Sequence, residues 1–277
     1  MIEVYKIGGN VVDDRPALEA FCRDFAAVPG PKVLVHGGGV MAGRLQEALG
    51  IPVVKIEGRR VTDERTLEVV TMVYAGLCNK TIVALLQAAG CNALGLSGAD
   101  GSCITARRRP PIPVGGPTAP DNASVSNPSG AAPDRASVSN PSGGRLVDFG
   151  FVGDVTPASV NAGFLKTLLD AGLTPVLCAI NHDGEGCLLN TNADTVASSV
   201  ASALGATLNI VFEKPGVLLD VNDPQSVIPL ITPAKFEELK AAGKIADGMI
   251  PKIQNAIAAL RAGCPEVRIG ATRISLP

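Results

Sequence analysis

A lysine stands beside two glycines in Lys6-Ile7-Gly8-Gly9-Asn10, and a second lysine closes Asp247-Gly248-Met249-Ile250-Pro251-Lys252 near the other end of the chain. A lysine next to exposed backbone amides, at the end of a short apolar strand, suits the holding of phosphate oxygens by charge and hydrogen bonds together. Two such lysines clamp one phosphoryl group only if the fold joins them. Gly37-Gly38-Gly39 adds a third element, since it follows an apolar strand and opens a helix whose dipole favours an anion. The same glycines also suit an ordinary tight strand-to-helix turn. No GxxxxGK[ST] motif is present, and no GxGxxG follows either early strand, which argues against a Walker-type ATPase and a dinucleotide site.

Two further groups have the chemistry of a small-molecule site. Arg60, just before a long helical pattern, is able to hold a carboxylate with both arms of its guanidinium, although an exposed arginine is as readily a solvated surface charge. In Asn190-Thr191-Asn192-Ala193-Asp194 the two asparagines alternate, so an extended backbone turns both amides to one side. One of these residues is expected to cap the helix that follows. Asp194 at that helix start is also placed to anchor lysine ammonium groups, and a shared anchor would join Lys6 to Lys252.

The elements that must position these residues alternate between strand and helix. Ile2–Ile7, Lys32–His36, Asn92–Leu96, Leu173–Ile180, Thr207–Phe212 and Glu266–Ile269 read as short apolar strands. Helical patterns cover Pro16–Val28, the stretch after Gly39 to Leu49, the stretch after Thr62 or Asp63 toward Leu86, Ala193–Leu204 and Lys252–Ala262. This order predicts an α/β protein, a three-layer α/β/α sandwich on a mainly parallel central sheet. Such sheets bind ligands at the edge where their strand-to-helix turns gather.

Composition narrows the classes. The 277 residues suit one large domain or two small lobes, and a formal charge of −2 gives no footprint for nucleic acid. No apolar stretch reads as a membrane span and the N-terminus opens on a strand, so a cytoplasmic location is expected. The seven cysteines form no CxxC pair and are odd in number, as expected of free thiols in a reducing compartment. One segment breaks the pattern: residues 109–144 are rich in Pro, Ser, Gly and Asn. Within them Pro120–Gly130 recurs thirteen residues later as Pro133–Gly143, with Arg135 in place of Asn122. With no hydrophobic face to bury, this tandem repeat reads as a disordered surface loop.

Lys6-Ile7-Gly8-Gly9-Asn10, Val35-His36-Gly37-Gly38-Gly39, Gly58-Arg59-Arg60-Val61-Thr62-Asp63, Gly76-Leu77-Cys78-Asn79-Lys80, Asn190–Asp194 and Gly248–Lys252 occur in the order seen in the amino acid kinase family. As a set they make the chain resemble that family, and within it the branch that phosphorylates N-acylated glutamate. The stretch Phe212–Leu218 is similar to Bacteroidetes members of the branch. The resemblance implies an N-terminal amino-acid-substrate lobe over 1–180, carrying the insert, and a C-terminal nucleotide-binding lobe over 181–277. It implies transfer of the γ-phosphoryl of ATP to the side-chain carboxylate of N-acetyl-L-glutamate, or of N-succinyl-L-glutamate. That carboxylate is already ionised near neutral pH and needs no general base, so catalysis becomes positioning and charge neutralisation.

Carried over residue by residue, Lys6 stabilises the transferring phosphoryl, Lys252 the leaving nucleotide, and Asp194 organises both. Gly38, Gly39, Arg60, Asn190 and Asn192 are the implied substrate contacts. Gly8, Gly9, Glu213, Lys214, Gly216 and Leu218 are the implied nucleotide contacts. Mg²⁺ is expected on the nucleotide's own oxygens, with no protein metal site. Three departures stand out. Phe212-Glu213 replaces the Ser/Thr-Asp pair of many relatives, the repeat insert lies beside strands that flank the amino-acid site, and Ala271-Thr272-Arg273-Ile274 resembles a displaced terminal strand. Arginine-inhibited relatives carry a helix before the first strand, so a feedback-insensitive homodimer is expected. A sibling carboxylate or carbamate kinase, and a catalytically silent binding module on the same fold, remain the alternatives.

Overall fold

The computed structural model describes every residue except 57, 115–122, 127–144 and 246–248. Eight strands form the main sheet: β1 (Glu3–Ile7), β2 (Lys32–His36), β3 (Ala93–Leu96), β4 (Thr174–Cys178), β5 (Thr207–Val211), β6 (Leu230–Ile231), β7 (Val267–Ile269) and β8 (Thr272–Ile274). Their spatial order is β6-β8-β7-β5-β1-β2-β4-β3. Only the β7–β8 pair is antiparallel. Every residue of β2 and β4 is buried, as parallel strands covered on both faces require.

The helices are α1 (Gly9–Asp13), α2 (Arg15–Ala27), α3 (Gly39–Ala48), α4 (Glu64–Ala88), α5 (Ala162–Asp170), α6 (Ala193–Leu204), α7 (Pro233–Ala241) and α8 (Ile250–Arg261). Alternation along the strands divides the core between two layers. Leu34 and Ile7 join Phe25, Val70, Ile82 and Leu86 on the face covered by α2 and α4. Val4, Val33 and Val35 join Val196, Val200, Ile253 and Ile257 on the face covered by α6 and α8. This period of two has a functional consequence. Lys6 lies two residues after Val4, so its side chain emerges on the α6/α8 face.

The expected α/β/α sandwich is therefore present, with two additions. The 25-residue α4 passes through one π-helical stretch at Met72–Cys78, whose wider turn the periodicity of the sequence concealed. By length and composition α4 is apolar enough to cross a bilayer, which corrects the expectation that no stretch is. Its Val69, Val70, Val73, Ile82 and Leu86 are instead buried in the core. Within the insert, Ala123–Ser126 is not loop but strand, paired antiparallel with Val53–Ile56. A backbone edge accepts any segment able to offer matching N–H and C=O groups, whatever its polarity. The second copy of the repeat lies outside the described residues.

Candidate functional site

Register in the central sheet gathers the sequence motifs at one edge. In β1, Ile7 pairs with His36 of β2 on one side and Val211 of β5 on the other. Three neighbouring strands therefore end level, releasing Gly8-Gly9, Gly37-Gly38-Gly39 and Phe212-Glu213 side by side. Cys178 of β4 is level with His36 as well, and the chain leaves it toward Asn190 and α6. This is the carboxyl edge of a parallel sheet, with β1 joined to β2 and β5 on opposite sides, the place where such folds bind ligands.

At its centre Lys6 Nζ lies 2.8 Å from Asp194 Oδ1. Lys6 is 8% exposed, so its ammonium is held inside the fold by a carboxylate rather than free in solvent. Asp194 is placed by the cap of α6: Asn192 Oδ1 accepts from the N–H groups of Asp194 and Thr195 at 2.8 and 3.1 Å. A cap and an anchor thus occupy adjacent turns of chain, and Asn192 is the capping residue. Asn190, buried, donates to Thr62 Oγ1 at 3.0 Å and ties α6 to the segment after Arg60.

The glycine turn at α3 is shaped from below. A side chain at Gly38 would bring its Cβ to 2.8 Å from Tyr74 Cδ1 and 2.9 Å from Cys78 Sγ, so only glycine fits between the turn and α4. Arg60 lies beside it, with Nη2 donating to Gly39 O at 2.8 Å, Nη1 donating to Gln46, and a further hydrogen bond to the Tyr74 hydroxyl. Burial pushes the Tyr74 phenol up, so the neutral hydroxyl persists beside that cation. Beneath the turn, His36 is fully buried between Gly37 O, 2.8 Å from Nδ1, and Asn79 Nδ2, 3.0 Å from Nε2. Burial pushes its imidazole down to about 4, with the Lys80 charge adding to the effect and the Gly37 carbonyl opposing it. His36 is thus a neutral spacer that fixes the Gly37 carbonyl.

On the other side of Gly8-Gly9, the Glu213 carboxyl is held below the usual carboxylate range. A hydrogen bond from its own backbone N–H contributes most, opposed by desolvation, and the Asn10 amide, Lys252 and Lys214 add to it. Asn10 follows Gly9, so this bond ties the Lys6 turn to the loop after β5. Lys252, in the first turn of α8, lies over the Phe212 ring with its Nζ 5.2 Å from the centroid. Among the described residues it has no ion pair, and Asp194 pairs with Lys6 alone. The common-anchor expectation for Asp194 thus meets a different arrangement, in which Lys252 lies over the Phe212 ring instead of pairing with Asp194.

Next to Lys252, the loop after β5 closes a cavity lined by Lys214, Gly216, Val217, Leu218, Val221, Lys244, Ile245 and Met249. A Cβ at Gly216 would meet Val227 Cγ1 at 2.8 Å and Thr272 Oγ1 at 2.9 Å, and Thr272 Oγ1 accepts from Val217 N at 2.8 Å. The β8 strand thus supports this loop directly. The exposed Lys214 and Lys244 flanking this small, mostly apolar cavity suit contact with phosphates. Among the described residues no group of three His, Cys, Asp or Glu gathers within reach of a metal ion. The sequence pattern assigned no site role to His36, Gln46, Tyr74, Phe212, Lys244 or Asn10. Apart from Asn10, His36 and Phe212, which fall inside recognised stretches, nothing in the local pattern distinguishes them from core or surface residues.

Residues 1–271 match the amino acid kinase family. The chain is 46% identical over 272 residues to the acetylglutamate kinase of Bacteroides thetaiotaomicron, covering 97% of this chain and 92% of that one. Against the acetylglutamate kinase of Phocaeicola vulgatus it is 45% identical over 272 residues, with the same shares of both chains. A crystal structure of a Streptococcus mutans protein superposes with a TM-score of 0.70 at 28% identity, covering 99% of this chain and 98% of that chain.

Proposed function

The chain belongs to the amino acid kinase family, and we propose that it passes the γ-phosphoryl of ATP to the side-chain carboxylate of N-acetyl-L-glutamate, a step of arginine biosynthesis. The observation that carries this reading is the pairing of the buried Lys6 with the half-buried Asp194, set at the sheet edge between two glycine turns. An ionised carboxylate is a competent nucleophile, so the protein's work is to bring two anions into line and to neutralise charge on the group in flight.

In this mechanism Arg60 and the Gly38 and Gly39 amides hold the acylated amino acid, with Asn190 and Asn192 on its other side. Lys6, oriented by Asp194, faces the transferring phosphoryl. Gly8 and Gly9 offer backbone N–H groups to its oxygens. Lys252 stabilises the charge that builds on the leaving nucleotide, whose base and phosphates are held by Glu213, Lys214, Gly216 and Leu218. Mg²⁺ carried by the nucleotide would supply further charge neutralisation. The amino-acid contacts come mainly from residues 1–180 and the nucleotide contacts from 181–277. We further propose a cytoplasmic homodimer, supported by Met72 and Leu77, which α4 leaves 55% exposed each.

ADP release with N-acetyl-L-glutamate tests the reading. Lys6→Ala and Lys252→Ala should each lower turnover at least about a hundredfold, as removal of a charge contact made in the transition state does. Unchanged turnover in both would refute the mechanism. N-succinyl-L-glutamate is the competing acceptor, and the ratio of kcat/KM for the two acylglutamates decides between them.

A further inference from the structure

The two lysines are held by different means. Lys6 has a carboxylate at 2.8 Å. Lys252 has none within ion-pairing distance among the described residues, and it stands in the first turn of α8. That end of a helix carries the positive pole of its dipole and disfavours a cation. What lies beneath the ammonium instead is the ring of Phe212, 5.2 Å from Nζ to centroid. A ring face attracts a cation through its quadrupole, within about 6 Å, without neutralising its charge.

The ring is well placed to act as a fixed seat. Phe212 directly follows β5, whose Val211 is in register with Ile7. Alternation puts it on the same sheet face as Ile210, and so on the face of α6 and α8. There it is half-buried against the same core as Met249 and Ile250, the residues that lead into Lys252. Glu213, next in the chain, contributes a negative charge near Lys252 while its own carboxylate is tied to Asn10.

We propose that Phe212 is a positioning residue for Lys252: its ring seats the ammonium by cation–π attraction and leaves the full positive charge for the nucleotide phosphates. A carboxylate in that place would hold the lysine equally well, but it would cancel the charge that the leaving group needs. The proposal rests on the kinase reading above, and its test separates the two.

Phe212 is replaced by 4-fluoro-, 3,5-difluoro- and 3,4,5-trifluorophenylalanine, which keep the shape of the ring while draining its negative face step by step. Turnover in ADP release should fall stepwise along the series, with the melting temperature and the KM for N-acetyl-L-glutamate unchanged. Phe212→Leu should lose about 3- to 30-fold in turnover. Turnover that stays flat along the fluorinated series overturns the proposal, since a ring needed only for packing would not sense fluorine. A second measurement does not depend on activity. In the ¹³C-lysine spectrum, the Lys252 side-chain methylene signals, assigned with Lys252→Arg, should be shifted upfield by the ring and return to ordinary lysine positions in Phe212→Leu. Ordinary positions in the parent protein overturn the proposal. If the parent releases no ADP, the kinase reading fails, and the lysine spectrum alone decides whether the seat exists.

Discussion

Lowering the pH from 7.5 to 4 should expose His36 as a built-in acid liability. The imidazole is fully buried, with Nδ1 2.8 Å from the Gly37 carbonyl and Nε2 3.0 Å from Asn79 Nδ2. Asn79 is held in that orientation on both sides, since Nδ2 also donates to Val176 O at 2.9 Å and Oδ1 accepts from Lys80 Nζ at 3.0 Å. Protonating Nε2 would therefore set one N–H against another, close to the Lys80 charge. Burial, more than either neighbour, pushes the folded-state value down to about 4. In the unfolded chain the ring titrates near its ordinary value of about 6.5. The group costs nothing above that value. As the pH falls through the window from about 6.5 to 4 the unfolded state takes up the proton first, so stability falls. Below about 4 both states are protonated and the loss stops. At about 1.36 kcal/mol per pH unit the window amounts to about 3 kcal/mol.

Urea unfolding at several pH values, for the parent and for His36→Gln, measures this directly. The glutamine variant is expected to be less stable at neutral pH and to lose about 3 kcal/mol less than the parent across the window. An equal pH slope in the two proteins would refute the reasoning. So would an NMR titration placing His36 near 6.5, a measurement made simple by the presence of only two histidines. Because the same ring fixes the Gly37 carbonyl, kinase activity should fall over the same window as the turn loosens.

Gly38→Ala should destabilise the chain by about 1–3 kcal/mol through overpacking against Tyr74 and Cys78; thermal unfolding checks this, and a variant as stable as the parent would contradict the contact distances. Arg60→Lys keeps the charge but loses the fork that spans Gly39 O and Gln46. It should raise the KM for the acylglutamate about tenfold or more while leaving the KM for ATP unchanged, a split that steady-state kinetics with each substrate varied will reveal.

Much of the fold was legible because its signals are local. The apolar runs at Lys32–His36 and Thr207–Val211, the cap at Asp63 and the asparagine cap of α6 depend on residues a few positions apart, and each lies where the pattern puts it. The lysine–glycine stretches at Lys6 and Gly37–Gly39 were visible for the same reason. The π-helical stretch in α4 was not, because one added residue in a turn leaves the apolar pattern almost unchanged. Nor was the strand at Ala123–Ser126, whose four-residue apolar–polar alternation is too short to stand out among the surrounding turn residues and whose pairing depends on the edge offered by Val53–Ile56.

Sequence alone therefore settled which residue types were available for phosphoryl chemistry, and that each would stand at the end of a strand or the start of a helix. Tertiary structure decided their partners. Whether Asp194 holds one lysine or two depends on the face from which Lys6 emerges and on where α8 comes to rest, and both follow from β1 lying between β2 and β5. A carboxylate took Lys6 and an aromatic ring took Lys252 because strand register, which joins residues some two hundred positions apart, placed Phe212 rather than Asp194 beneath the Lys252 ammonium. Local periodicity has no access to register between distant strands, since that is chosen by the packing of the whole sheet.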